Sequence, residues 1–227
     1  MPLDPAAAIE ITAFRWVPEF AQGVVRDLRV RWALEEAGLA YRVRLLDAMS
    51  DRPVDYYCEQ PFGQVPFYSE ADLRLFESGA IVQHIGEKDE RLLPRDPVSR
   101  ARAIQWTYAA LNSVEPALQN LVLIDVFYAG EEWAKLRRPG AEEFARLKLK
   151  RVADWLGDKQ WLEGDRFTIG DLMMVTVLRN LRHTGLVAEQ PNLGAFLARG
   201  EARPAFQRAL ADQLAVFAAH EPEPQAA

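Results

Sequence analysis

Near the start of the chain, apolar and polar positions alternate with period two in Ile9 to Phe14 and in Tyr41 to Leu46. Each stretch predicts a half-buried strand. Between them, Val24 to Ala37 is made of good helix formers and is followed by Gly38 as a C-terminal cap. A helix of that length between two strands predicts a parallel βαβ unit. Asp51 to Glu59 has no clear period and reads as helical or irregular. Val65 to Ser69 and Leu73 to Phe76 read as strands, joined through Glu70-Ala71-Asp72 as a hairpin. Glu77 to Glu87 then takes a helical period, with Ile81, Val82 and Ile85 on one face.

Beyond this point the alternating period disappears. Asp89 to Pro97 is charged, holds Pro94 and Pro97, and reads as a linker. Helices are predicted over Ser99 to about Tyr128 (broken near Glu115-Pro116), Pro139 to Leu156, Ile169 to His183, Leu193 to Arg199 and Pro204 to Ala219. Pro139 suits a helix start. Glu221 to Ala227 reads as a frayed tail. The reading is α/β in residues 1–88, linker in 89–98, all-helical in 99–220 and disordered tail in 221–227. Phe167-Thr168-Ile169-Gly170-Asp171 has the form of a capping box, Thr168 as N-cap and Asp171 reaching back, with Phe167 as staple.

Two features bear on chemistry. Proline removes a ladder donor, so Val65-Pro66 inside a strand-like run suggests main-chain groups reserved for something other than the sheet. The helix start at Glu77-Ser78 offers free N–H groups and a positive dipole end, which favour a carboxylate. Together they suit a small peptide with a free carboxylate.

Composition narrows the rest. The chain has 227 residues, 27 basic against 33 acidic, for a net charge of −6. The basic residues are dispersed among acids, which does not favour nucleic acid. His84, His183 and His220 lie far apart without ligand spacing, so no metal is expected. A single cysteine, Cys58, permits no internal disulfide and fits a reducing compartment. No apolar run reaches the ~18 residues of a membrane span. The N-terminus lacks the form of a secretory signal, and the cytosol is the expected location.

Several motifs occur in a telling order: Arg29-Val30-Arg31-Trp32-Ala33-Leu34-Glu35-Glu36-Ala37-Gly38-Leu39 with Tyr41, Pro61-Phe62-Gly63-Gln64-Val65-Pro66, Leu75-Phe76-Glu77-Ser78-Gly79-Ala80-Ile81, the Phe167 to Asp171 box, and Pro204-Ala205-Phe206-Gln207-Arg208-Ala209-Leu210. On these the chain resembles a bacterial cytosolic glutathione transferase, over about residues 9 to 219. The resemblance implies a thioredoxin-like N-terminal domain, an all-helical C-terminal domain, a homodimer, glutathione as co-substrate and a detoxifying conjugation to small apolar electrophiles. Carried over, Val65 offers its backbone to the cysteinyl part of glutathione and Pro66 is a cis proline. Ser78 holds the γ-glutamyl carboxylate, Glu77 the ammonium, and Gln64 faces the glycyl end. Tyr108 and Asn112 are the candidates for the electrophile pocket.

The family activates the thiol with a Ser, Tyr or Cys at the first helix. That position falls near Val24, and Arg15 to Asp27 contains no Ser, Tyr, Cys or Thr. Arg26, the Trp16 indole and free N–H groups near Val24 to Arg26 are the substitutes on offer. Two alternatives follow: a non-catalytic glutathione-fold binding or stress protein, and thiol–disulfide exchange through Cys58. Cys58 itself reads as a partly buried, inert thiol.

Overall fold

A computed structural model describes residues 3–222. The chain divides into two compact units, one running through Ile85 and joined by Pro204 onward, the other spanning Gly86 to Arg203. Residues 223–227 of the expected tail lie outside the described residues.

In the first unit, β1 (Ile9–Phe14) pairs in parallel with β2 (Tyr41–Leu46), from Ile9 opposite Tyr41 to Phe14 opposite Leu46. The helix between them, α1 (Asp27–Ala37), makes the crossover and ends at Gly38 in the left-handed region, φ 68°. It begins three residues later than its composition predicts. Val24 to Arg26 lie in successive turns instead, with bonds from Val24 N–H to Ala21 C=O, from Leu28 N–H to Val25 C=O and from Arg29 N–H to Arg26 C=O. β3 (Phe67–Glu70) runs antiparallel to β1 and pairs with β4 (Leu73–Phe76), so the sheet order is β2-β1-β3-β4. Val65 and Pro66 stand outside β3, where a proline costs the ladder no donor. Asp51 to Glu59 resolves into a 3₁₀ turn at Val54–Cys58, and α2 (Ser78–Glu87) follows β4.

Sequence order places the last helix, α8 (Pro204–Ala219), in the helical half. It packs on α1 in the first unit. The Trp32 and Phe206 rings meet edge-on at 4.9 Å, and Arg208 pairs with the buried Glu35 at 2.6 Å. Gln213, itself 1% exposed, donates to Asp27 at 2.7 Å and accepts from Gly23 N–H at 3.2 Å. Asp27 also pairs with Arg31 at 2.7 Å, both fully buried. Burial pushes the Asp27 carboxyl up, against the opposing pull of Arg31 and Gln213.

The second unit is helical. It comprises α3 (Pro97–Tyr108), α4 (Glu115–Val122), α5 (Glu132–Leu156), α6 (Ile169–Leu178) and α7 (Pro191–Glu201). The Asp89 to Pro97 segment is better packed than a linker. Leu92 and Leu93 are buried, and Asp96 caps α3 by accepting from Ser99 N–H at 2.8 Å. The predicted break at Glu115-Pro116 appears as a π-helical turn, Ala109–Val114, ending just before it. Pro116 has no N–H for the Asn112 carbonyl, and the ladder widens there. A second π turn, Leu123–Phe127, follows α4.

Pro139 does not start a helix: α5 begins at Glu132 and carries Pro139 inside. Pro139 leaves the Lys135 carbonyl without its usual donor. Buried Ala134 and the Arg138 pair with Asp125 (2.7 Å) secure the turns before it, and the Arg138–Glu142 pair spans it. The helix predicted to His183 ends earlier, with α6 at Leu178 and a 3₁₀ turn at Arg179–Leu181.

Candidate functional site

The chain from Gln60 to Phe67 is fixed on all sides. The Gln60 side-chain oxygen accepts from Phe62 N–H at 2.7 Å and Gln64 N–H at 3.1 Å. Arg52 donates to the Gly63 carbonyl at 3.0 Å and lies over the Phe14 ring at 4.9 Å. Tyr56, 1% exposed, donates its hydroxyl proton to the Gln64 carbonyl at 2.6 Å. The buried Thr12 hydroxyl accepts from Phe67 N–H at 2.8 Å and meets the Tyr56 hydroxyl at 2.9 Å.

Within this loop the Val65–Pro66 bond is cis, as the resemblance implies. Neither the N–H nor the C=O of Val65 has a hydrogen-bond partner among the described residues, although Val65 is only 6% exposed. Buried main-chain groups are nearly always paired. An unpaired donor and acceptor on one residue make a ready ladder for another main chain. The Val65 side chain joins Leu46, Tyr56 and Phe67 in a small core, against which Phe14 and Val25 pack.

The second element is the start of α2. Glu77 sits at φ 69°, a left-handed conformation that side chains other than glycine seldom adopt. Its carbonyl accepts the first helical bond, from Ile81 N–H at 3.0 Å, so the N–H groups of Ser78, Gly79 and Ala80 precede the intrahelical ladder. Ser78 is buried and accepts from Arg29 Nη1 at 3.2 Å. A guanidinium only donates, so the Ser78 hydroxyl keeps its own proton for an acceptor. Helix dipole, free N–H groups and the Ser78 hydroxyl all favour an anion at this position. Glu77 itself is exposed.

At the start of α1 no hydroxyl or thiol is present. Val25 packs against the core around Val65, and Val24 is half-buried beside it. Arg26 is exposed and occupies the N-cap position of α1, with no side-chain cap bond. The Trp16 indole N–H is buried and has no hydrogen-bond partner among the described residues. Cys58 is exposed at the end of its 3₁₀ turn, not partly buried as expected; Tyr56 takes the inward position of that turn.

In the helical unit, Tyr108 ends α3 and Asn112 lies in the π turn that follows, both exposed. Thr168 and Asp171 form the expected capping box. Thr168 Oγ1 accepts from Gly170 N–H at 3.2 Å, and Asp171 accepts from Thr168 N–H at 2.9 Å. Asp171 also accepts from Leu162 N–H at 2.8 Å, tying the preceding loop to α6. Burial outweighs these donors and raises the Asp171 carboxyl to about 6. Among the described residues no helix is long and apolar enough to cross a membrane.

Sequence reasoning missed Arg29, Thr12, Tyr56 and Gln60. Arg29 lay in a quoted motif and Tyr56 in the stretch without period. Arg29, Thr12 and Tyr56 make contacts 49, 55 and 44 positions away, which no local pattern carries, whereas Gln60 bonds only two and four positions on, through a side chain that shows no period.

The sheet order, the cis proline beside β3 and the helical second half define a thioredoxin-like domain followed by an all-α domain. Residues 21–87 match the family described as glutathione S-transferase, N-terminal domain, and residues 139–204 the corresponding C-terminal domain. Glutathione S-transferase GstA of Escherichia coli O157:H7 is 32% identical over 185 residues, covering 78% of this chain and 89% of the relative. A maleylacetoacetate isomerase of Rhizobium meliloti (strain 1021) is 31% identical over 193 residues, 82% and 91% of the two chains. A theta class glutathione S-transferase of Xanthomonas axonopodis pv. citri, solved with glutathione bound, superposes with TM-score 0.77 at 27% identity, covering 90% of this chain and 97% of that one. The chain belongs to the glutathione S-transferase family, a family of transferases.

Proposed function

We propose that this protein is a glutathione transferase that adds the glutathione sulfur to small apolar electrophiles. The unpaired Val65 main chain carries the reading. Val65 N–H and C=O pair with the cysteinyl main chain, and Ser78 with the α2 N–H groups takes the γ-glutamyl carboxylate. Glu77 takes the ammonium, and Gln64 faces the glycyl end. Glutathione is the co-substrate, and the residues of the helical unit assigned to the electrophile are Tyr108 and Asn112. A homodimer in the cytosol, acting in detoxification, completes the proposal.

The sulfur forms a bond to carbon. The leaving group or opened ring keeps the electron pair, and the thiol proton passes to solvent. No side-chain hydroxyl at the start of α1 assists. The loss is modest: a thiol of pKa ~8.5 is about 3% ionised at pH 7, and lowering it by roughly two units raises the thiolate about 25-fold. Intrinsic nucleophilicity falls about 6- to 10-fold over the same change, leaving a gain of only a few-fold. Holding thiol and electrophile together contributes far more. The Trp16 indole N–H and the Arg26 charge assist the thiolate. Trp16→Phe and Arg26→Ala therefore raise the bound thiol's pKa; an unaltered thiolate absorbance titration removes both residues from the reaction.

The absent hydroxyl favours a second reading, a glutathione-binding protein without turnover. Calorimetry with glutathione, and a conjugation assay with aromatic halides and epoxides on the same sample, separate the two. Binding with turnover is the expected result. Binding without turnover selects the second reading, and no binding rejects both. A third reading, thiol–disulfide exchange through exposed Cys58, requires a reductase activity that Cys58→Ser abolishes; an unchanged activity rejects it.

A further inference from the structure

We propose that Thr12 and Tyr56 are positioning residues that aim the Val65 N–H at glutathione. The inference rests on the glutathione site proposed above and deepens it.

Proton accounting fixes the direction of the relay. Phe67 N–H can only donate and the Gln64 carbonyl can only accept, and each hydroxyl has one proton. Tyr56 gives its proton to Gln64 C=O, 2.6 Å away, so at the 2.9 Å contact between the hydroxyls it accepts from Thr12. Thr12 in turn accepts from Phe67 N–H at 2.8 Å. The chain is Phe67 N–H to Thr12 to Tyr56 to Gln64 C=O, and every group in it is satisfied. Burial pushes the Tyr56 phenol up, so it keeps the proton this direction needs.

The two ends of the relay bracket Val65-Pro66. Gln64 C=O and Val65 N–H belong to one planar peptide unit, and that unit is trans, because the only cis bond among the described residues is Val65–Pro66. In a trans peptide the C=O and N–H point in opposite directions. Drawing the Gln64 carbonyl inward to Tyr56 therefore turns the Val65 N–H away from the core. Anchoring Phe67 N–H on Thr12 fixes the far side of Pro66 in the same way. Glutathione then meets a donor already held in place, without the cost of ordering the loop on binding. Neither hydroxyl touches the ligand in this scheme.

The experiment compares Tyr56→Phe, Thr12→Val and Thr12→Ser with the wild type by calorimetry with glutathione, thermal melting and steady-state conjugation. Tyr56→Phe and Thr12→Val are expected to raise the glutathione Kd and KM at least fivefold, with kcat held within twofold. Thr12→Ser keeps the hydroxyl and is expected to restore wild-type affinity, which a general packing role for Thr12 would not produce. Should Tyr56→Phe fail to fold, the Thr12→Val and Thr12→Ser pair carries the same comparison. Unchanged affinity in folded Thr12→Val, or failure of Thr12→Ser to restore it, overturns the inference while wild-type binding stands. A wild type that does not bind glutathione refutes the site itself, and this inference with it.

Discussion

Glu77 holds a conformation that works against the fold. At φ 69° its Cβ crowds the backbone, a cost of about 1–2 kcal/mol for a residue other than glycine. Glycine removes that strain but loses more chain entropy on folding, about 0.5–1 kcal/mol. Glu77→Gly is therefore expected to leave stability unchanged or raise it by up to about 1.5 kcal/mol, a melting shift of zero to roughly 6 °C for a chain of this size. Glu77→Gln keeps the strain and removes the charge, so its stability should stay within about 0.5 kcal/mol of the wild type. Both variants lose the proposed partner of the ligand ammonium. Glu77 is exposed, and a solvent-screened ion pair contributes about 1 kcal/mol or less, so glutathione affinity should fall up to roughly fivefold in each. Urea denaturation and calorimetry on the three proteins read both quantities. A Glu77→Gly protein clearly less stable than the wild type contradicts the strain argument, and unchanged affinity in both removes Glu77 from the site.

Other positions give independent checks. A Cβ at Gly170 would lie 2.6 Å from Trp106 Cβ and 3.0 Å from the Ala103 carbonyl, so Gly170→Ala should cost about 1–3 kcal/mol by pushing α6 off α3; a neutral urea midpoint contradicts this packing. Gln213→Ala removes its hydrogen bonds with buried Asp27 and with Gly23 N–H, and should lower stability by about 2–4 kcal/mol. A loss below about 1 kcal/mol in urea shows that α8 does not hold the start of α1. The Asp171 carboxyl sits at about 6 in the folded chain against an ordinary 3.8, so between those values the folded state binds the extra proton. Its contribution is fully present below about pH 4 and falls by up to about 3 kcal/mol as pH rises through 6. Asp171→Asn should lack that decline, and parallel pH profiles for the two proteins contradict the assignment.

Much of the fold was legible because its signals are local. The alternation in Ile9 to Phe14 and Tyr41 to Leu46 placed two strands, and Gly38 and the Thr168-Asp171 box each marked a helix end. The errors share a cause, which is packing overriding local preference. The helix predicted from Val24 begins only at Asp27, and Gln213 bonds Gly23 and Asp27 on either side of the turn that replaces its first residues. Pro139 looked like a helix start, yet α5 runs through it once Arg138 and Ala134 secure the earlier turns. At the proposed site, the motifs point to Val65, Pro66, Glu77 and Ser78 but not to the groups that hold them. Arg29 reaches Ser78 across 49 positions of sequence, and Thr12 reaches Phe67 across 55. Contacts of that span leave no periodic trace.

Val65 is the residue on which the account turns, and its amide proton reports on it directly. Nitrogen-15 labelled protein titrated with glutathione should show the Val65 N–H resonance moving downfield and its solvent exchange slowing, both saturating at the calorimetric Kd. Saturating glutathione that leaves the Val65 amide unmoved would contradict the claim that its free main chain is where the tripeptide docks.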